Sequence, residues 1–118
     1  MPKKILIIDD DPEIRSYLKD VFEDAGYATE SARDGVEGLE KVQVSPPDLI
    51  ALDMDMPKRG GTMFYVKLRK EPSLAEIPVI VITGVGPRTP ELTKNVPVLT
   101  KPIDRQKTLD LVKSFLGE

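Results

Sequence analysis

LIALDMDMP, residues 49–57, joins four consecutive apolar residues to two aspartates and a proline. A short, uninterrupted apolar run is the pattern of a strand buried on both faces of a parallel sheet. Such a strand ends here in Asp53, and a carboxylate at the edge of a core is expensive to desolvate unless something pairs with it. The stretch therefore asks what sheet it belongs to and what offsets its charge.

Working toward the N-terminus, Ser45-Pro46-Pro47 breaks a preceding helix that carries Val36, Leu39 and Val42 and opens on the capping box Asp34-Gly35-Val36-Glu37. Tyr27 to Ser31 reads as a strand. Before it, Asp11 is placed to cap a helix with Pro12 at its first position, where the missing N–H costs nothing. Ile14, Leu18, Val21, Phe22 and Ala25 follow at helical spacing, and Gly26 ends the run. The chain starts with another buried-strand pattern, Ile5 to Ile8, stopped by Asp9 and Asp10.

Toward the C-terminus, Thr62 to Lys70 is a helix with Phe64 and Leu68 inward, and Pro78 to Thr83 is the clearest strand. From Gly84 to Pro97 the prolines at 87, 90 and 97 leave room for at most a turn or two of helix around Glu91 to Asn95. Val98 to Thr100 makes a fifth strand. Asp104 caps a last helix with Leu109, Val112, Phe115 and Leu116 on one face, ended by Gly117. The Lys101–Pro102 bond is one that can be cis, although most X-Pro bonds are trans.

Five strands alternating with helices, with no linker or repeat, predict an α/β fold: one domain over residues 1–118, built on a doubly wound five-stranded parallel sheet with a short or irregular fourth helix. At 118 residues no staple is needed. Cysteine and histidine are both absent, which excludes disulfides, thiolate chemistry and imidazole bases or zinc ligands. A net charge of −3 with no basic block argues against direct nucleic-acid binding. No apolar run reaches the length of a membrane span or signal core, so the expectation is a soluble, cytoplasmic protein without membrane contact.

In open parallel sheets ligands bind beyond the carboxyl ends of the strands, where the strand order reverses. Those ends bring Asp9 and Asp10, Asp53 and Asp55, Thr83, and Lys101 with Pro102. Like charges at close range raise one another's pKa, so converging carboxylates ask for a cation, and oxygen ligands alone favour hard Mg²⁺. An aspartate can accept a phosphoryl group covalently, with Lys101 and Thr83 completing an electrostatic clamp.

The segments KILIIDDDPEIRSYL, PDLIALDMDMPKRGG, IPVIVITG and VLTKPI, in this order, resemble the receiver domain of response regulators in two-component signalling. The resemblance spans essentially the whole chain and implies a flavodoxin/CheY-like (βα)5 fold. It implies Asp53 as phosphoacceptor, Lys101 and Thr83 as its catalytic partners, and a Mg²⁺ ion held by Asp10, Asp53 and the backbone carbonyl of Asp55, with Asp9 acting through water. The phosphoryl donor is then a histidine kinase or phosphotransfer protein. The reader of the signal is a downstream effector or fused output domain, and the domain is a monomer or weak dimer that catalyses its own phosphorylation and dephosphorylation.

Three departures from the family pattern stand out. Only 17 residues separate Thr83 from Lys101, Val98 stands where the family often has an aromatic, and Lys58 and Arg59 follow Pro57. Asp55, two residues after the acceptor, is expected to tune phosphoryl lifetime. Two other readings remain open. One is a degenerate receiver-like scaffold that binds partners without phosphorylation. The other is a phosphatase resembling the haloacid dehalogenases through its Asp53-Met54-Asp55, although there the motif follows the first strand.

Overall fold

The computed structural model describes residues 2–54, 61–84 and 96–117. Among these described residues nine elements follow one another: β1 (Lys4–Ile8), α1 (Pro12–Asp24), β2 (Ala28–Ala32), α2 (Gly35–Val44), β3 (Leu49–Asp53), α3 (Gly61–Lys70), β4 (Val79–Thr83), β5 (Val98–Thr100) and α4 (Arg105–Leu116). The strands form a single parallel sheet in the order β2-β1-β3-β4-β5. The chain winds outward from β1 to β2, then crosses back to β3 on the other side of β1. This reversal puts the switch point between β1 and β3.

Alternation along the strands separates two apolar layers. Leu6, Ile8, Ile50, Leu52, Val79 and Val81 pack with Val42 of α2 and with Phe64 and Leu68 of α3. Ile5, Ile7, Leu49, Ala51, Ile80 and Ile82 face the other way, onto Leu18, Val21 and Phe22 of α1 and onto Leu109 and Val112 of α4. All five residues of β3 and of β4 are buried, which is why both read as unbroken apolar runs rather than alternating ones.

Three aspartates start helices as expected. Asp11 accepts from the Glu13 N–H (2.9 Å), Asp34 from the Glu37 N–H (2.8 Å) and Asp104 from the Lys107 N–H (2.9 Å). Gly26, with φ +98°, lies just beyond the C-terminal end of α1. The Glu37 carboxylate reaches back to the N–H of Arg33, one residue before the cap. The Lys101–Pro102 bond is cis.

Three expectations are corrected. Tyr27 precedes β2 instead of opening it, because its N–H turns back to the Phe22 carbonyl and closes the end of α1. In α2 the buried stripe runs through Gly35, Gly38 and Val42, leaving Val36 exposed and Leu39 half-buried. In α4, Thr108 is buried while Phe115 lies 43% exposed. The Thr108 hydroxyl donates to the Asp104 carbonyl at 2.7 Å, which removes the cost of burying it. The expected short or irregular fourth helix, within 84–97, falls mostly outside the described residues.

Candidate phosphoryl-transfer site

The site forms where β1 and β3 end side by side. Ile8 pairs with Leu52, so the next residue on each strand, Asp9 and Asp53, stand opposite each other. They also share the pleat direction of Ile5 and Ile7, and of Leu49 and Ala51, which brings both carboxylates to the same side of the sheet edge. Both residues are 1% exposed, whereas Asp10 is exposed. One carboxylate oxygen from each of Asp9, Asp10 and Asp53 lies within 4.8 Å of the others.

Lys101 enters from the end of β5. Its N–H donates to the Thr83 carbonyl at 2.8 Å, fixing the backbone beside β4. Its ammonium lies 3.6 Å from Asp9 Oδ2 and 3.7 Å from Asp53 Oδ1, with the side chain 24% exposed. Thr83 closes β4, fully buried, on the strand adjoining that of Asp53. Asp9, Asp10, Asp53 and Lys101 are thus gathered within a few ångströms and Thr83 is brought to the same edge. Asp55, Lys58 and Arg59, and with them the expected backbone ligand and lifetime-tuning side chain, lie outside the described residues.

Asp9 is held at several points. Its N–H donates to the Ala32 carbonyl (3.1 Å), and its Oδ1 accepts from the Asp11 N–H (2.9 Å). Burial pushes its carboxyl above the ordinary range, and the Asp10 charge adds to this. The Asp11 N–H, the Lys101 ammonium and the contact with Asp53 pull the other way without overcoming it. Its Oδ2 accepts no hydrogen bond among the described residues.

Among the described residues, a buried Asp9 oxygen without a hydrogen bond, three carboxylates within 4.8 Å of one another and the Lys101 ammonium make a site with more negative than positive charge. The all-oxygen donor set fits a hard divalent cation. One contributor had no sequence signal of its own. Arg15, which reads as an ordinary polar position of α1, donates from Nη1 to the Asp9 carbonyl at 2.7 Å.

A doubly wound parallel sheet carrying an acidic cluster and a lysine at its switch point defines a class of Asp-centred signalling modules. Residues 5–113 match the response regulator receiver domain, and the chain belongs to that family. Protein Rrf1 of Nitratidesulfovibrio vulgaris is 35% identical over 117 residues, covering 99% of this chain and 85% of that protein. The polar-differentiation response regulator DivK of Brucella anthropi is 30% identical, covering 100% and 99% of the two chains. Among solved structures, chemotaxis protein CheY4 of Vibrio cholerae superposes with a TM-score of 0.89 at 28% identity, over 98% of this chain and 99% of that one. The protein is therefore a receiver domain of two-component signalling with the CheY-like fold. No helix among the described residues is long and apolar enough to cross a membrane.

Proposed function

We propose that Asp53 is the phosphoacceptor and that residues 1–118 act as one receiver domain. The observation that carries this is the placement of Asp53. Its carboxylate is 1% exposed, ends a strand buried along its whole length, and lies within 4.8 Å of two further carboxylates and 3.7 Å of the Lys101 ammonium. A carboxylate serving only as a turn or cap has no need of so much surrounding charge.

The donor is a phosphohistidine of a histidine kinase or phosphotransfer protein, as membership of the receiver family suggests, and the absence of histidine from residues 1–118 is consistent with this. An oxygen of Asp53 forms a bond to phosphorus as the donor's N–P bond breaks, and the electron pair of that bond returns to the imidazole nitrogen. Lys101 faces the phosphoryl oxygens as a fixed charge. Thr83 offers a hydroxyl at the adjoining strand end. Asp10 and Asp53, with the Asp55 carbonyl, would hold Mg²⁺ and Asp9 would hold it through water. When bound, the ion supplies positive charge to the phosphoryl oxygens. Phosphorylation then shifts a conformational equilibrium that a downstream effector or fused output domain reads, in the cytoplasm, with the receiver a monomer or weak dimer.

The test is intact-protein mass after incubation with Mg²⁺ and acetyl phosphate. One phosphoryl group on the parent and none on Asp53→Asn is the expected result. An unmodified parent, or an equally modified Asp53→Asn, refutes the assignment.

A further inference from the structure

The acidic cluster depends on a loop of three aspartates, Asp9 to Asp11, whose path is tied down from both ends. Asp9 donates its N–H to β2, and its Oδ1 accepts from the Asp11 N–H. Asp11 in turn accepts from the N–H groups of Glu13, at its side chain, and of Arg15, at its carbonyl (3.0 Å). These bonds are made by backbone donors and leave the Asp9 carbonyl to be held by something else. Arg15, half-buried in the first turns of α1, folds its side chain back over the loop and donates Nη1 to that carbonyl at 2.7 Å. The peptide so held links Asp9 to Asp10, so its orientation sets where both carboxylates point.

The chemistry of this choice has an informative sign. A guanidinium is charged at all accessible pH values. Held against the Asp9–Asp10 peptide, that charge adds positive potential near the carboxylates and so disfavours a divalent cation binding them. Judged by charge alone, Arg15 weakens the site. Judged by its hydrogen bond, it aligns two of the three carboxylates. The two roles predict opposite consequences when the side chain is removed.

We propose that Arg15 is a positioning residue for the phosphoryl-transfer site: by clamping the Asp9 carbonyl it holds the Asp9 and Asp10 carboxylates toward Asp53 and so sets the affinity for the divalent cation. This rests on the reading of the acidic cluster as a cation site serving Asp53. Groups that orient ligands in this way typically change metal affinity by about 10–100-fold when removed. The clamp acts through a peptide rather than directly on a ligand atom, so about 10-fold, the lower end of that range, is expected.

The experiment is a Mn²⁺ titration read by electron paramagnetic resonance of the free ion, on the parent, Arg15→Ala, Arg15→Gln, Arg15→Lys and Asp53→Asn. Far-UV circular dichroism at the same temperature shows that each is folded. Arg15→Ala is expected to bind about 10-fold more weakly, with Arg15→Lys recovering part of the loss. It should also raise the Mg²⁺ concentration giving half-maximal phosphorylation by acetyl phosphate, with the rate at saturating Mg²⁺ little changed. Arg15→Gln, neutral and shorter, gives the same reading should the alanine variant not fold: positioning predicts weaker binding than the parent. Unchanged or tighter binding by the alanine or glutamine variant overturns the proposal. A parent that binds no Mn²⁺, with Asp53→Asn behaving identically, instead overturns the cation site itself and this inference with it.

Discussion

Replacing Asp9 by asparagine should stabilise the metal-free protein, although it removes an ion-pair partner of the central lysine. The contact with Asp53 and the Lys101 ammonium favour a charged Asp9, and the Asp10 charge opposes it. Repulsion by exposed Asp10 is screened to about 1 kcal/mol. These contributions do not outweigh burial, which is the largest influence on the group and raises its pKa. Desolvation of a carboxylate that is 1% exposed costs several kcal/mol, offset in part by about 2 kcal/mol from the Asp11 N–H. The substituted amide keeps an oxygen for that N–H and loses the charge, leaving a net gain of about 2 kcal/mol.

The pH dependence has a definite sign. The folded-state pKa of Asp9 is raised above its ordinary value of 3.8, so between the two values the native state binds more protons than the unfolded chain. Parent stability from this group therefore falls as pH rises through that window. The advantage of the variant should be small near pH 4, grow as pH rises through the raised pKa and be complete above it. Urea unfolding followed by far-UV circular dichroism in EDTA measures it. If the acidic cluster binds Mg²⁺ as proposed, added Mg²⁺ should stabilise the parent by RT ln(1 + [Mg²⁺]/Kd), about 2.7 kcal/mol at one hundred times Kd, and stabilise the variant less, so the gap should close or reverse. An Asp9→Asn variant no more stable than the parent in EDTA at pH 7 would falsify this reading of the site.

Three further outcomes are expected. Lys101→Met leaves two buried carboxylates without their facing cation and should cost about 3 kcal/mol in EDTA, and less in Mg²⁺, by the same urea assay. Gly61→Ala places a methyl 2.7 Å from the Asp53 carbonyl oxygen, an atom of the backbone that cannot step aside cheaply. It should cost about 1–3 kcal/mol and slow phosphorylation by acetyl phosphate, whereas a variant as stable and as fast as the parent argues against tight contact between α3 and the acceptor strand. Phe64→Ala empties a fully buried ring site between α3 and the sheet and should cost about 3–5 kcal/mol, seen as a lower urea midpoint at unchanged slope.

The strands and helix starts were legible in the sequence because each carries its own local signal. Ile80, Val81 and Ile82 lie in a run that fits little except a strand covered on both faces, and Asp11, Asp34 and Asp104 can each satisfy an N-terminal N–H within two or three residues. The alignment of Asp9 with Asp53 was legible only through the fold rule for switch points, which turns distance along the chain into nearness. The misses were positions where hydropathy says nothing of packing. Gly38 has no side chain to register, yet α2 packs so tightly there that an added Cβ would meet Ile8 at 2.6 Å and Phe64 at 3.2 Å. Thr108 is polar but satisfied by its own helix, and Phe115 is apolar but points outward. Arg15 escaped notice because a backbone carbonyl as partner leaves no complementary residue to find.

The burial of β3 and β4 along their whole length also bears on how long a signal can last. Amides of central strands exchange with solvent only when a large cooperative unit opens, whereas edge strands and helix ends open far more often. Asp53 is thus anchored in what should be among the most protected of the described segments, while the half-exposed β5 that carries Lys101 into place belongs to the rim of the sheet. If Asp53 is the phosphoacceptor proposed above, the lifetime of its phosphoryl group should follow the shallow openings of that rim rather than global unfolding.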